Sequence, residues 1–178
     1  VEMLDPKPTE IIGDPACGTA GFLIVTMQYL LEKYTSEQGW IEHEEDGRFG
    51  YDRLPPYWSE PEKRHAFLIR CGATVAGFAF ATVGSPATED PTDLDVAEFF
   101  VLRSHRRSGV GREAAHALWD TLPGQWVVRC SQANRAGLPF WTESVRTYTG
   151  GAFREWTRPG DPNPWRVFAF ASSAKRGG

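Results

Sequence analysis

The stretch that decides the fold reads Arg106-Arg107-Ser108-Gly109-Val110-Gly111. An apolar strand is predicted before it, over Asp95–Leu102, and a helix after it, over Gly109–Leu122. The first amides of a helix lack partners, and the aligned peptide dipoles make that end partly positive. Glycines let the backbone approach a phosphate, and arginines add charge-assisted hydrogen bonds. These residues favour a phosphate-binding loop, and a basic loop before an ordinary helix is the alternative.

Regular secondary structure is predicted on both sides of this loop. Toward the N-terminus, Ala66–Cys71 and Val75–Val83 are a hairpin candidate across a turn at Gly72-Ala73. Toward the C-terminus the pattern predicts a strand, a helix and two final strands, over Trp126–Cys130, Asn134–Tyr148, Ala152–Trp156 and Trp165–Phe170. Strands and helices are therefore mixed along residues 66–170.

Composition and charge limit the kinds of function. The 178 residues suit one domain, or one domain plus a fragment, and 41% hydrophobic residues are enough for a core. A net charge of -4 argues against broad nucleic-acid binding, so nucleic acid is not an expected partner. Residues 103–112 nevertheless hold four arginines and His105, which favours a small anionic ligand.

Cysteine and histidine spacing predicts neither disulfides nor a metal site. Cys17, Cys71 and Cys130 are odd in number and widely spaced. His105 and His116 have no partners at metal-ligand spacing, so we interpret both as surface residues. The N-terminus has no signal-type run, and no apolar run is long enough to cross a bilayer. We therefore expect a cytoplasmic protein with no membrane partner.

The order of these elements resembles the GNAT acetyltransferase family over about residues 45–172. The resemblance is carried by Glu98–Arg103, by Arg106–Gly111, and by Asn134 followed by Phe140-Trp141. It implies an α/β (α+β) fold whose central sheet is mixed, mostly antiparallel, split by a V-shaped splay and flanked by helices. The predicted strand before the loop would part from its neighbour and open a wedge for the pantetheine arm of acetyl-CoA.

The resemblance also implies which residues bind this co-substrate. Backbone groups of the strand end would pair with pantetheine, and amides of the loop and the helix start would bind the pyrophosphate. A backbone N–H near Val101 would polarise the thioester carbonyl. The cofactor-binding residues predicted in this way are Phe100, Val101, Arg103, Arg106, Arg107, Ser108, Gly109, Val110, Gly111, Arg112 and Asn134.

The reaction that the resemblance implies is direct attack of an amine on the thioester, which needs a base and an acid. Glu98 and Asp95 are candidate bases, or else carboxylates paired with a neighbouring arginine. They lie three residues apart, so strand alternation places them on opposite faces unless a bulge intervenes. The usual acid of the family is a tyrosine, but Trp141 holds that position. Tyr148, about two helical turns later, is the predicted substitute. A core role for Tyr148, with water as the acid, is the alternative.

The resemblance implies an amine acceptor, either a small molecule or a protein. Tyr51, Tyr57 and Trp58 are candidates to line its site, or they pack an irregular loop onto the sheet. A homodimer is compatible with the resemblance, because the final strands of this fold often pair across subunits. Because Trp141 replaces the tyrosine, a CoA-binding module without turnover is an alternative function.

The N-terminal segment resembles a different family. Asp14–Leu23 is similar to the S-adenosylmethionine loop of type I restriction-modification adenine methyltransferase subunits, a match that extends over about residues 1–36. The catalytic tetrapeptide of those enzymes is absent, since Leu54 stands before Pro55-Pro56 where an amide or acid would contact the adenine. We predict a methyltransferase-like segment at 1–38 and a GNAT domain at 39–178, without S-adenosylmethionine as a cofactor. A fragment of a DNA adenine N6-methyltransferase is the remaining alternative.

Overall fold

The computed structural model describes residues 2–4, 56–72 and 74–173. The chain divides into two compact units, one of Val1–Asp5 with Glu62–Gly178 and one of Pro6–Pro61. The described part of the second unit contains a short helix, α1 (Pro56–Ser59), in which Tyr57 is buried. The predicted strand, loop and helix over residues 10–34, with the Asp14–Gly21 loop, lie outside the described residues.

The first unit is built on a seven-stranded sheet with the order β1-β2-β3-β4-β5-β7-β6. Neighbouring strands are antiparallel except β4 and β5, which are parallel. The predicted mixed, mostly antiparallel sheet is therefore confirmed. Its strands are β1 (Glu2–Leu4), β2 (Arg64–Cys71), β3 (Thr74–Val83), β4 (Leu94–Val101), β5 (Gly124–Ser131), β6 (Arg154–Arg158) and β7 (Trp165–Ser172).

Two helices cover one face of this sheet and form the core with it. Helix α2 (Val110–Thr121) follows β4, after a 3-10 turn at Arg103–His105, and helix α3 (Gly137–Thr149) follows β5. Their apolar sides pack against alternate residues of the strands, and the cluster includes Ala79, Val96, Ala115, Leu118, Trp119, Trp126, Val128, Trp141, Val145 and Phe168. Burial of these large side chains is the main favourable term in folding.

A bulge on β4 bends the middle of the sheet. Phe80 pairs with Glu98 and Ala81 with Val96, so Ala97 is an extra residue opposite β3. A bulge bends its strand and increases the local twist. The bend falls where β4 leaves β5.

The parallel pairing of β4 and β5 is short. Leu94 pairs with Trp126 and Asp95 with Val127, although each strand has eight residues. Beyond these two pairs the strands part. The V-shaped splay predicted from the resemblance is therefore confirmed, and the wedge opens between the second half of β4 and the second half of β5.

Candidate functional site

The inner edge of β4 presents backbone groups to the wedge. The N–H of Leu102 donates to the carbonyl of Ala76 at 2.8 Å, which continues the ladder with β3. In an antiparallel ladder alternate residues point their N–H and C=O groups to the same neighbour. The groups of Phe99 and Val101 therefore point away from β3, to the side that β5 has left. An extended ligand lying in the wedge meets these groups.

The loop after β4 winds directly into the start of α2. Arg107 and Gly109 both have positive φ, 64° and 92°, and Ser108 Oγ donates to the His105 carbonyl at 2.8 Å. The first backbone bond of the helix runs from Glu113 N to Gly109 O, at 3.1 Å. Across residues 56–72 and 74–173, no acceptor is found for the N–H groups of residues 107–112. These six amides at the positive end of α2 are available to a diphosphate.

Glycine at position 111 brings this helix close to α3. A Cβ there would lie 3.2 Å from the Phe140 ring and 3.6 Å from Val101. An added Cβ would require the Phe140 ring to shift by a few tenths of an ångström. Gly111 therefore permits the close packing of the start of α2 against Phe140 and Val101.

Arg106 does not reach over the helix start. Its Nε donates to the Val101 carbonyl at 2.8 Å, and its guanidinium carbon lies 5.4 Å from the centre of the Phe100 ring. Phe100 in turn stacks on Phe78, with ring centres 5.6 Å apart. The Val101 carbonyl is thus occupied, and its N–H is the group left for a carbonyl oxygen of the ligand. Arg103, Arg107 and Arg112 are exposed around the loop.

Asn134 is a capping residue of α3. Its Oδ1 accepts from the Gly137 N–H at 2.8 Å, and its carbonyl accepts from the Leu138 N–H at 3.1 Å. The helix begins at Gly137 rather than at Asn134 as predicted, and Asn134 bonds the turn that precedes it. Only the Nδ2 group of Asn134 is left to meet a cofactor.

The bulge brings the two candidate bases to one face of the sheet. With Ala97 as the extra residue, Asp95 and Glu98 both point away from the helices, whereas Val96 and Phe99 contact the core beneath them. Plain alternation would have separated the two acids, so this is the bulged case that the sequence left open.

Asp95 is already engaged by Ser85 and Arg129. It is fully buried and accepts from Ser85 Oγ at 2.5 Å and from Arg129 Nε and Nη2 at 2.8 and 2.7 Å. The alternative prediction, a carboxylate paired with an arginine, therefore describes its geometry. Glu98 is exposed on the arm of β4 beyond the bulge.

Tyr148 is far from the wedge. Its hydroxyl donates to Asp120 Oδ1 at 2.8 Å, and its ring packs on Trp119 and Phe170. Phe170 pairs with Trp126, which lies beside Leu94 where β4 and β5 are still joined. Burial first, and then the hydrogen bond to Asp120, raises the pKa of Tyr148 above its ordinary value. This geometry is that of the core tyrosine which the sequence left as an alternative.

Helix geometry accounts for the separation of Tyr148 from the wedge. Seven residues of helix return a side chain to a similar face but move it about 10 Å along the axis. Trp141, at the position of the family tyrosine, is 8% exposed, with its ring centre 5.1 Å from that of Phe99. Neither residue offers an acidic group to the wedge.

His116 is not the surface residue that the sequence predicted. Its Nε2 lies 2.9 Å from the Ser144 carbonyl, and its ring contacts Trp119 and Tyr148, so it joins α2 to α3. In the described part of the chain, no group of three or more His, Cys, Asp or Glu side chains could hold a metal ion. Among the described helices, none has the length and apolar character needed to span a membrane.

Sequence reasoning missed Ser85 and Arg129. The available signal was Arg129 itself, a charge between Val128 and Cys130 in an apolar strand. Such a residue requires a carboxylate partner when its neighbours are buried. Tyr57 lies in the other unit and Tyr51 lies outside the described residues, as does the Trp58 side chain, so their predicted acceptor role stays a prediction.

Comparison with known families agrees with this geometry. Residues 26–145 match the family model described as the acetyltransferase (GNAT) family. The chain belongs to the GNAT acetyltransferase family. It is accordingly an N-acetyltransferase, an enzyme that moves an acyl group from an acyl-CoA to an amine. Residues 1–49 match the N-6 DNA methylase model, which confirms the N-terminal resemblance.

Solved structures share the fold of this GNAT protein at low sequence identity. An acetyltransferase from Thermus thermophilus has a TM-score of 0.60 and 17% identity, with coverage of 95% of this chain and 96% of that one. A putative GNAT acetyltransferase from Bacteroides thetaiotaomicron has a TM-score of 0.58 and 14% identity, with coverage of 97% and 88%. A Bacillus subtilis acetyltransferase in complex with CoA has a TM-score of 0.50 and 10% identity, with coverage of 70% and 85%. Among curated proteins, no sequence matches the chain.

Proposed function

We propose that this enzyme transfers the acetyl group of acetyl-CoA to an amine by direct attack in the wedge between β4 and β5. The observation that carries the proposal is the two-pair junction of β4 and β5, which opens beside the six loop and helix-start amides that have no acceptor among the described residues. The amides bind the pyrophosphate, and the inner edge of β4 orients the pantetheine arm. The Val101 N–H donates to the thioester carbonyl, where negative charge develops during attack.

Glu98 is the proposed base. It lies on the face of β4 away from the helices, past the bulge, and is exposed to an incoming amine. The carboxylate accepts the proton that the amine loses as its nitrogen bonds to the carbonyl carbon. The carbon–sulfur bond breaks, and water supplies the proton that the thiolate takes, because neither Trp141 nor Tyr148 offers one.

The cofactor site is tested by thermal unfolding with and without acetyl-CoA. We expect acetyl-CoA to raise the Tm of the wild type, and Gly109→Glu to abolish the rise, because a bulky anion then blocks the loop. Gly151→Glu is the matched control. Gly151 has the same left-handed φ, 91° against 92°, but no atom within 4 Å of an added Cβ. An equal rise in Gly109→Glu would contradict the proposed phosphate site.

The base is tested by steady-state kinetics of Glu98→Gln. General bases contribute about 10²–10⁴-fold, so we expect kcat to fall by about a hundredfold or more while the Tm rise with acetyl-CoA is kept. Glu89→Gln, an exposed change in the loop before β4, is the control. Unchanged kcat in Glu98→Gln would mean that water or another side chain removes the proton.

For the N-terminal segment, residues 1–38, we propose no methyl transfer. Leu54 replaces the polar group that such enzymes need before Pro55-Pro56. Calorimetric titration of the full chain with S-adenosylmethionine is expected to give no saturable heat. A saturable signal would instead support the methyltransferase fragment.

A further inference from the structure

One half of the sheet carries a row of arginines and tryptophans on the face away from the helices. Arg129 pairs with Val167, which pairs with Trp156, and Ser131 pairs with Trp165, which pairs with Arg158. Residues paired directly across strands share a face. By the same register Arg154 lies on this face beside Ala169. The cationic-aromatic patch is defined as Arg129, Arg154, Trp156, Arg158 and Trp165.

The aromatic members of the patch are held in place. Both indoles are half-buried against the apolar cluster of Val127, Val167 and Ala169. The guanidinium carbon of Arg129 lies 5.7 Å from the Trp165 ring centre, and that of Arg154 lies 5.9 Å from the Trp156 ring centre. These are cation–π distances. The patch is therefore a pre-organised surface.

Arg129 is oriented by its partner in the neighbouring strand. Asp95 binds Nε and Nη2, the side chain of Arg129 is 24% exposed, and Nη1 has no acceptor within the described residues. A buried ion pair contributes little net stability, because taking both charges out of water costs as much as their attraction returns. The Asp95–Arg129 pair does fix the direction of the Nη1 group of Arg129.

On the face of the sheet away from the helices, the two sides of the wedge, β4 and β5–β7–β6, carry opposite charge. On the β5–β7–β6 side, Arg129 is paired with Asp95, and Arg154 and Arg158 are exposed. On the β4 side, Glu98 is the exposed acid. An acceptor lying across the wedge thus meets a base at one end and arginines at the other.

We propose that this patch is the acceptor-specificity site, and that it selects amines that also carry a carboxylate on an aromatic or apolar frame. The proposal rests on the acetyl transfer proposed above. The amine lies at Glu98, the carboxylate accepts from Arg129 and Arg158, and the frame packs on Trp165. Guanidinium groups suit carboxylates because their N–H donors form a planar fork.

The proposal is tested by comparing free amino acids with their carboxamides, at saturating acetyl-CoA. Two acids whose amine and carboxylate stand at opposite ends of an aromatic ring, 4-(aminomethyl)benzoate and 4-(2-aminoethyl)benzoate, are each paired with the matching amide. The amino group of the carboxamide compound is less basic than that of the free acid and is therefore more often neutral. Chemical reactivity alone thus favours the carboxamide. We expect kcat/KM to be at least about tenfold higher for the free acids, the usual range for a hydrogen bond to a charged group.

Variants test whether the preference for free acids over carboxamides comes from the cationic-aromatic patch. Arg158→Gln is expected to remove it by raising KM for the acids about tenfold, with kcat nearly unchanged and the amides unaffected. Arg146→Gln, an exposed arginine on α3, is the matched control. Arg129→Lys keeps a charge for Asp95 but lacks the fork, and is expected to act in the same direction. Arg158 is exposed and has no ion pair among the described residues, so we expect its replacement to leave the fold intact.

Different results separate this inference from the proposed function. Equal or better turnover of the amides would overturn acceptor selection by the patch while acetyl transfer stands. If none of the four compounds is acetylated, their binding to the CoA-saturated protein is measured by calorimetry. Acids that bind no more tightly than amides would then overturn the inference, whereas the Gly109→Glu comparison decides the cofactor site independently.

Discussion

At the scale of single residues, replacing Tyr148 distinguishes a role in stability from a role in catalysis. Its hydroxyl is bonded to Asp120 at the joined end of β4 and β5. We expect Tyr148→Phe to lower the unfolding free energy by about 1 kcal/mol, the usual contribution of one hydrogen bond. We expect kcat to stay within about twofold, because no ligand in the wedge reaches this hydroxyl. Denaturant unfolding and steady-state kinetics measure the two quantities. A large fall in kcat with normal stability would return Tyr148 to the role of acid.

Gly77 is the residue that permits the tight approach of β3 to the end of β4. A Cβ at this position would overlap the carbonyl oxygen of Phe100. We expect Gly77→Ala to cost about 1–3 kcal/mol of unfolding free energy, since overpacking displaces the backbone. Gly150→Ala isolates backbone strain from overlap, because its φ of 63° is left-handed but an added Cβ there meets nothing within 4 Å. A loss below about 1 kcal/mol in Gly77→Ala would mean that the contact with Phe100 relaxes freely.

The role of a residue could be predicted from the sequence only where both its type and its place between predicted elements are readable. The Gly109 loop was visible because glycines and arginines occur together between a predicted strand and a predicted helix, where a phosphate would meet the first helix amides. The common face of Asp95 and Glu98 was not visible, because the bulge at Ala97 leaves no mark in the sequence. An alanine fits a regular strand and a bulged one equally well, and the bulge alone decides which face the acid occupies.

At the scale of elements, the start of α3 combines a cap with a candidate cofactor contact. Asn134→Ala removes the cap and is expected to cost about 1 kcal/mol. Asn134→Asp keeps a capping oxygen for the Gly137 N–H but loses the Nδ2 donor. We expect it to retain stability and to reduce the Tm rise with acetyl-CoA. If both variants bind acetyl-CoA normally, Asn134 is a cap alone.

The strands themselves could be predicted, because apolar residues alternate along them. The predicted strands from Ala66 onward are all present, with ends displaced by one or two residues. The predicted helix over Gly109–Leu122 is present as Val110–Thr121, and β5 begins soon after it, at Gly124. The splay came from family resemblance alone, because strand periodicity does not tell which neighbours separate.

At the scale of the whole sheet, the Asp95–Arg129 pair joins two halves that share two backbone pairs. Ser85 adds a third group to this junction. We expect Asp95→Ala to lower the unfolding free energy by about 3–5 kcal/mol, because Arg129 is left partly buried without a partner. Ser85→Ala removes one neutral donor and is expected to cost about 1 kcal/mol. Chemical denaturation measures both, and a small loss in Asp95→Ala would show that water replaces the carboxylate.

The open inner edge of β4 makes the protein prone to aggregation when coenzyme is scarce. Unpaired strand edges are templates onto which other extended chains add, and Glu98–Val101 is rich in apolar, strand-forming residues. In the proposed complex, coenzyme in the wedge covers that edge. Light scattering on warming should therefore rise sooner in coenzyme-free protein, and more steeply at higher protein concentration. Acetyl-CoA would then also protect this enzyme from self-association. When acetyl-CoA is depleted, we expect aggregation to remove enzyme in addition to the loss of its substrate.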